Sequence, residues 1–192
     1  MITQGVGHVV ALTFDDGPTP GVTDRLLDVL EHEHVHATFF VVGRAARSDP
    51  GMLRRMAADG DEIEDHSETH AHLNALLPAA IDHEIAAADA AIAAATGRHA
   101  HLLRPPFGAR NAAVLDAAQR RGMRVVLWSV TGRAGEISSH AGEGAIVLLH
   151  DGDRGRGDAG ELAYQAADVP QVIAMLRARG FRFVTLAELL HS

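Results

Sequence analysis

Two acidic side chains stand next to each other in this chain, and two histidines stand four residues apart. Asp15 and Asp16 follow an apolar segment, and His66 and His70 follow a short segment that is predicted to be a strand. Adjacent carboxylates cannot both stay ionised at low cost unless a cation lies between them. Two imidazoles and one carboxylate are ligands that hydrolytic Zn²⁺ sites use, with positions left open for water. A metal held by Asp16 and the two histidines would supply that cation and leave Asp15 free to act as a base.

Each of these features has a plainer explanation when it is taken alone. Asp15-Asp16-Gly17-Pro18 has the composition of a turn. A spacing of four places two histidines on one face if a helical turn begins there, yet His32 and His36 have the same spacing. That second pair joins a predicted helix end to a predicted strand and has no acidic residue at a strand end. Position in the fold must therefore separate metal ligands from ordinary histidines.

Apolar segments with strand and helix periodicity alternate along the chain and predict a parallel sheet with connecting helices. The predicted strands are His8–Phe14, His36–Val42, Asp61–Asp65, His101–Leu103, Met123–Val130, Ala145–Leu149 and Phe181–Val184. The predicted helices are Val22–Glu33, Asp49–Asp59, Pro78–Thr96, Arg110–Arg121, Val169–Arg179 and Leu186–Leu190. This α/β pattern predicts a distorted, incomplete (β/α) barrel of about seven parallel strands, with an open doubly wound sheet as the alternative. Gly152–Gly160 is predicted to be a flexible loop.

The chemically active residue types fall where these strands end. Asp15 follows the first predicted strand, His66 the third, Arg104 the fourth and His150 the sixth. The carboxyl ends of the strands form the active-site mouth of a parallel barrel. The four strand ends would therefore converge, and the sequence predicts one site rather than four unrelated features.

The composition argues against several classes of protein and of metal site. The 192 residues fit a single domain over residues 1–192, and a diffuse net charge of −8 argues against a nucleic-acid partner. The absence of cysteine means that any metal is held by His, Asp or Glu. No apolar run reaches membrane-spanning length. Met1–Gly7 is too short and polar for a signal peptide, so we expect either a cytoplasmic protein or part of a longer secreted or cell-wall precursor.

The motifs at the four strand ends resemble those of the NodB-type polysaccharide deacetylases, carbohydrate esterase family 4. The family motifs TFDDG, H-S/T-x-x-H, R-P-P-Y/F-G and L-x-H correspond to Thr13–Gly17, His66–His70, Arg104–Gly108 and Leu148–His150. The resemblance extends from about His8 to His191. Each motif is short, but four of them in the family's order are specific.

The resemblance implies a metal site and a base. Asp16, His66 and His70 would bind the metal. Asp15 would be the general base, and Arg104 would orient it. The ligand types favour Zn²⁺, and Co²⁺, Ni²⁺ or Mn²⁺ would also accept two histidines and a carboxylate.

The resemblance also implies the residues that contact a carbohydrate substrate. The backbone N–H of Phe107 would help to stabilise the oxyanion. Leu148 would line the pocket for the acyl methyl group, and Trp128 would lie against the substrate. His150 would protonate the leaving amine. The expected activity is hydrolysis of the N-acetyl group of a sugar in chitooligosaccharide, peptidoglycan or a related glycan. The alternatives are a deacylase for acetylated xylan or a small N-acyl amino-sugar, and a catalytically impaired domain that binds metal and sugar.

One segment departs from the family pattern. The family has D-x-x-D-W after the fifth strand, where this chain has Thr131, Ala134 and Gly135 in place of the two carboxylates and the tryptophan. In the family, one carboxylate pairs with the acid histidine and the tryptophan walls the groove. We therefore expect a more open groove and altered substrate choice, with metal binding intact. Three nearby acids could replace the missing charge: Glu136, Asp151 and Asp153.

Overall fold

The computed structural model describes residues 1–152 and 159–191. Its strands are β1 (Val9–Asp15), β2 (Thr38–Val41), β3 (Glu62–Asp65), β4 (Leu102–Leu103), β5 (Arg124–Val125), β6 (Val130–Thr131), β7 (Ala145–His150) and β8 (Arg182–Phe183). Its helices are α1 (Thr23–Glu33), α2 (Gly43–Ser48), α3 (Pro50–Asp59), α4 (Pro78–Thr96), α5 (Ala112–Arg120), α6 (Ala134–His140), α7 (Ala159–Ala178) and α8 (Leu186–His191). Two single 3₁₀ turns occur at Leu73–Ala75 and Pro106–Gly108.

All the strand pairs of the sheet are parallel. Seven strands follow the order β5-β4-β3-β2-β1-β7-β6. The eighth, β8, pairs with Val9 and Val10 at the start of β1, whereas β2 pairs with the last three residues of that strand. Strand β1 is buried along its whole length, which accounts for its uninterrupted apolar run.

The sheet curls until its two edges lie near each other. Strands β5 and β6 are at opposite ends of the strand order, yet residues 126–129 alone join them. Five residue steps span roughly 18 Å at most, which is much less than the width of a flat sheet of seven strands. Ile2 lies in the gap, where its N–H donates to Val125 O (2.9 Å) and its carbonyl accepts from Leu127 N–H (2.8 Å). The predicted incomplete barrel is confirmed, and the open doubly wound alternative is wrong.

The prediction of a single fifth strand over Met123–Val130 is wrong. Val126 N–H donates to Leu103 O on the β4 side, and Ser129 N–H donates to Ile146 O on the β7 side. The apolar run is continuous because both ends are buried, but the chain changes its neighbouring strand halfway along. Periodicity does not record which strand a residue pairs with.

The helices agree with the sequence prediction except in three places. Helices α2 and α6 were not predicted, because six or seven residues are too few to show a clear apolar stripe. Helix α7 begins at Ala159, ten residues before the predicted start at Val169. Residues 153–158 of the predicted Gly152–Gly160 loop lie outside the described residues. None of the helices in the described part of the chain is long and apolar enough to cross a bilayer.

Alternation along β1 separates the outer core from the barrel interior. Val10, Leu12 and Phe14 belong to the large apolar cluster beneath the surrounding helices. Val9 and Ala11 belong to a smaller cluster that fills one end of the barrel interior. The interior face continues through polar side chains toward the carboxyl end of β1, so that end of the barrel is left for the functional site.

Candidate active site

Asp15 at the end of β1 is held by a buried arginine. Arg104 Nη1 donates to Asp15 Oδ1 over 2.7 Å and to Thr13 Oγ1 over 2.7 Å, and Nη2 donates to Leu127 O over 3.0 Å. The guanidinium is fully buried and lies 4.1 Å from the ring centroid of Phe40. Several polar partners on a rigid planar group fix the direction in which the Asp15 carboxylate points.

Asp16 and the two predicted metal-binding histidines form one cluster. Asp16 Oδ1 lies 3.1 Å from His66 Nε2 and 2.9 Å from His70 Nε2. One candidate ligand atom from each residue lies within 4.8 Å of the others. Among the described residues, this is the cluster whose donor atoms could hold a metal ion.

The two histidines of the cluster are brought together by a loop and not by a helical turn. Ser67 N–H donates to Asp65 Oδ1 (2.7 Å), His70 N–H donates to Ser67 Oγ (3.1 Å), and Thr69 N–H donates to Glu84 Oε2 (2.9 Å). Ser67 and His70 have φ values of 65° and 61°. Left-handed backbone is uncommon outside glycine and tends to occur where surrounding structure enforces a functional geometry.

The polar contacts of His66 fit a cation between the rings and the carboxylate. His66 Nδ1 lies 2.7 Å from Arg104 O, which can only accept, so Nδ1 carries a proton. The Nε2 atom of a neutral ring then directs its lone pair at Asp16, an arrangement that is repulsive without a positive charge there. Burial works against charge on both groups. Even so, the carboxylates raise the pKa of His66, and the two neighbouring imidazoles, in their charged form, lower the pKa of Asp16 far below its usual range.

Most of the predicted site residues border one cavity of about 280 Å³. Its lining consists of Asp15, Asp16, His66, His70, Phe107, Trp128, Leu148 and His150. The one predicted site residue outside this lining, Arg104, lies buried against Asp15. Strands β1 and β7 place Asp15 and His150 side by side, since they are register partners. The structure therefore brings all nine predicted side chains to one end of the barrel.

Phe107 forms an exposed aromatic edge of this cavity. Its φ is 60° and 53% of its surface is accessible, and a Cβ on the following Gly108 would lie 3.3 Å from the Trp128 ring. The Phe107 ring lies 4.6 Å from His70 and stacks on His72 at 3.9 Å between centroids. His72 is a neighbour that the sequence analysis did not identify.

A second cavity of about 350 Å³ adjoins the metal-binding cluster. It shares Asp16, His70 and Phe107 with the first cavity and continues along Pro18, Thr19, Val42, Arg44, Ala45 and Thr69. Arg44 was missed by the sequence analysis, although it follows the end of β2, and strand ends at this edge of the sheet carry the other site residues. The site is therefore a groove with an apolar arm at Leu148 and Trp128 and a more polar arm at Arg44.

Asp151 supports the loop beneath the cluster and does not replace the missing carboxylate of the fourth motif. Its Oδ2 accepts from Thr23 Oγ1 (2.7 Å), and its backbone N–H donates to Asp15 O (3.1 Å). Its Oδ1 has no hydrogen-bond partner within the described parts of the chain. A Cβ at Gly17 would overlap this carboxylate, so glycine is needed there. Burial raises the pKa of Asp151 to about 7.

The fourth-motif segment runs from the end of β6 into the first turn of α6. Thr131 is exposed and donates to Leu148 O (3.1 Å), whereas Ala134 is buried in the core beneath the helices. Within the described residues, a Cβ at Gly135 would meet no atom within 4 Å. Glu136 accepts from Arg133 N–H (2.9 Å) and caps α6, so its carboxylate points toward the start of the helix. Asp153, the third candidate, lies outside the described residues.

Comparison with known proteins identifies the family. A polysaccharide deacetylase family model matches residues 4–126. The chain is 36% identical over 199 residues to a chitooligosaccharide deacetylase of Bradyrhizobium sp. (strain ANU 289), covering 94% of this chain and 90% of that protein. It is 30% identical over 194 residues to a peptidoglycan-N-acetylglucosamine deacetylase of Bacillus cereus, covering 95% and 88%.

Solved structures agree with this result. A family 4 carbohydrate esterase from Streptomyces lividans, in complex with acetate, has a TM-score of 0.80 and 32% identity over 90% of each chain. The predicted resemblance, based on four short motifs, is confirmed. The chain belongs to the polysaccharide deacetylase family, carbohydrate esterase family 4.

Proposed function

We propose that this protein is a metal-dependent hydrolase that removes acetyl groups from N-acetylated sugars in chitooligosaccharide, peptidoglycan or a related glycan. The observation that carries the proposal is the cavity of about 280 Å³ in which a candidate metal cluster lies beside a carboxylate and an imidazole on neighbouring strands. Relatives named as deacetylases of chitooligosaccharide and of peptidoglycan support the same reaction class.

Asp16, His66 and His70 would hold the ion. Two imidazoles and one carboxylate suit Zn²⁺ first, and Co²⁺, Ni²⁺ or Mn²⁺ as well. A divalent ion at this position would polarise the acyl carbonyl and lower the pKa of water. The contact of His66 Nδ1 with Arg104 O holds the ring so that Nε2 faces the cluster.

Asp15 is proposed as the general base. Arg104 engages its Oδ1, while its Oδ2 lies 3.8 Å from His66 Nε2 and so faces the ligand cluster. In the proposed step, Asp15 takes a proton from water while the water oxygen forms a bond to the acyl carbon. The bond from Arg104 keeps the carboxylate in place.

His150 is proposed as the acid for the second half of the reaction. It gives a proton to the amine nitrogen as the C–N bond breaks, so the products are acetate and a free amino sugar. Phe107 N–H would donate to the oxygen that becomes negatively charged. Leu148 and Trp128 border the same cavity and would surround the acetyl methyl group.

Acetate release from N-acetylglucosamine oligomers tests the proposal. The metal-loaded protein should release acetate, chelator should stop the release, and added Zn²⁺ should restore it. Asp15→Asn should lower kcat by about 10²–10⁴-fold while metal stoichiometry stays unchanged. His150→Gln should lower kcat over a similar range. If the metal-loaded protein releases no acetate from oligomers of any length, an acylated xylan, a small amino-sugar or a silent sugar-binding domain becomes the better explanation.

A further inference from the structure

We infer that Arg44 selects N-acetylated sugar substrates that carry a carboxylate near the acetamide group that is cleaved. The inference rests on the proposed deacetylase function and adds the charge of the preferred substrate. It comes from the polar arm of the groove, the cavity of about 350 Å³ that shares Asp16 and His70 with the metal-binding cluster.

Arg44 has a fixed backbone and lines the cavity. Its N–H donates to Glu68 O (3.1 Å), and its carbonyl accepts from Ser48 Oγ (2.9 Å). Arg44 is exposed, and it lines the cavity together with Thr19 and Thr69. A cation on an anchored backbone therefore stands beside the place where the acetamide would be cleaved.

Two acids next to Thr69, which lines this cavity, have partners other than Arg44. The Glu68 carboxylate pairs with Arg47, and the Glu84 carboxylate accepts from both Thr69 N–H (2.9 Å) and Thr69 Oγ1 (2.8 Å). Among the described residues, nothing forms a hydrogen bond or an ion pair with the Arg44 guanidinium. The chain as a whole carries a net charge of −8, so an uncompensated cation in the groove is not explained by a generally basic surface.

The geometry of the guanidinium decides the kind of partner. Its planar fork matches a carboxylate through two parallel N–H···O bonds, whereas a neutral sugar hydroxyl gains much less from a positive charge. The apolar arm at Leu148 and Trp128 suits the acetyl methyl group. A substrate that occupies both arms would place its acetamide at the cluster and an anionic substituent at Arg44.

The test compares two disaccharides that differ in charge. One is di-N-acetylchitobiose, which is neutral, and the other is N-acetylglucosaminyl-N-acetylmuramic acid, which carries a lactyl carboxylate. The preference is the ratio of kcat/KM on the acidic disaccharide to that on the neutral one. In Arg44→Gln this ratio should fall about fivefold, as expected for one exposed ion pair. Arg54→Gln, which removes an exposed arginine on α3 outside the lining of both cavities, should have the wild-type ratio.

Salt and binding give two further readouts. Raising the ionic strength should lower the preference of the wild type and leave that of Arg44→Gln unchanged, because salt screens exposed charges. Equilibrium binding of both disaccharides in the presence of chelator should show a fivefold weaker affinity of Arg44→Gln for the acidic one, measured against Arg54→Gln.

These outcomes separate the two proposals. Equal preferences in wild type and Arg44→Gln, with acetate released, would overturn the role of Arg44 and leave the deacetylase intact. A binding difference without acetate release would support Arg44 and overturn the proposed reaction. Equal affinities of both proteins for the acidic disaccharide would overturn the inference even if no acetate is released.

Discussion

The two sides of the active-site groove are held by different numbers of contacts. On the side of β1, β3 and β4, Asp15, Asp16 and His66 are buried, and each has at least one charged or hydrogen-bonding partner. On the side of β6 and α6, Thr131 is exposed, and a Cβ at Gly135 would have no neighbour within 4 Å in the part of the chain that the structure describes. The family motifs are complete on the first side and broken on the second. A side chain that satisfies buried partners is costly to replace, whereas an exposed position with no neighbours changes at little cost to the fold.

The largest effect should come from Arg104, because it holds the buried side together. Replacing it by methionine leaves the Asp15 carboxylate buried without its cation, and breaking such a pair typically costs about 3–5 kcal/mol. We expect Arg104→Met to lose that much free energy of unfolding in urea titrations, and to lose acetate release. The matched control is Arg98→Met, which removes an exposed arginine and should change stability by less than about 0.5 kcal/mol. Equal stability of the two variants would mean that the buried side is no more constrained than the open one.

The next effect concerns metal affinity, and it separates two neighbouring histidines. His70→Ala removes a proposed ligand and should weaken Zn²⁺ binding by more than about 100-fold. Mutating a residue that only hydrogen-bonds to a metal ligand already lowers metal affinity by about 10- to 100-fold. His72→Ala removes an exposed ring that stacks on Phe107 but lies outside the ligand cluster, so its Zn²⁺ affinity should stay near wild type. Competition with a chromophoric chelator measures both. Similar losses in both variants would contradict the assignment of the cluster.

The sequence predicts the closely held side better than the open one, and the reason is physical. Asp15, His66 and Arg104 stand at the ends of predicted strands, and a parallel fold alone requires those strand ends to converge. What the sequence does not show is the loop from His66 to His70: its left-handed residues, Ser67 and His70, are not glycines, and the Glu84 carboxylate that holds Thr69 is distant in the chain. It likewise misses the split of the fifth strand, since pairing with β4 and then with β7 leaves no periodic signal.

The position of Ala134 tests the open side directly. By the family motif an aspartate there would restore the missing carboxylate, but Ala134 is 3% exposed and belongs to the core beneath the helices. Ala134→Asp should therefore lower the free energy of unfolding by about 2 kcal/mol, the cost of burying an unpaired polar group. Ala134→Asn has nearly the same shape without the charge and should lose less. A gain in kcat by Ala134→Asp with unchanged stability would show that this position faces the groove.

The smallest effect is expected at Gly135, where the family has tryptophan. Gly135 lies in the first turn of α6, and a Cβ there would meet no atom of residues 1–152 or 159–191 within 4 Å. Gly135→Trp should keep the free energy of unfolding within about 1 kcal/mol of wild type, because a side chain in open space adds no clash and glycine is a poor helix former. Gly132→Ala is the contrasting change, since Gly132 has a φ of 130° and a Cβ there would run into Glu136. It should be the less stable of the two variants in spite of its much smaller side chain.

If Gly135→Trp instead unfolds the protein, the α6 side is as closely packed as the metal-binding side. If the tryptophan is tolerated, the ratio of kcat/KM between short and long N-acetylglucosamine oligomers would measure how strongly the α6 side of the groove determines the preferred substrate length.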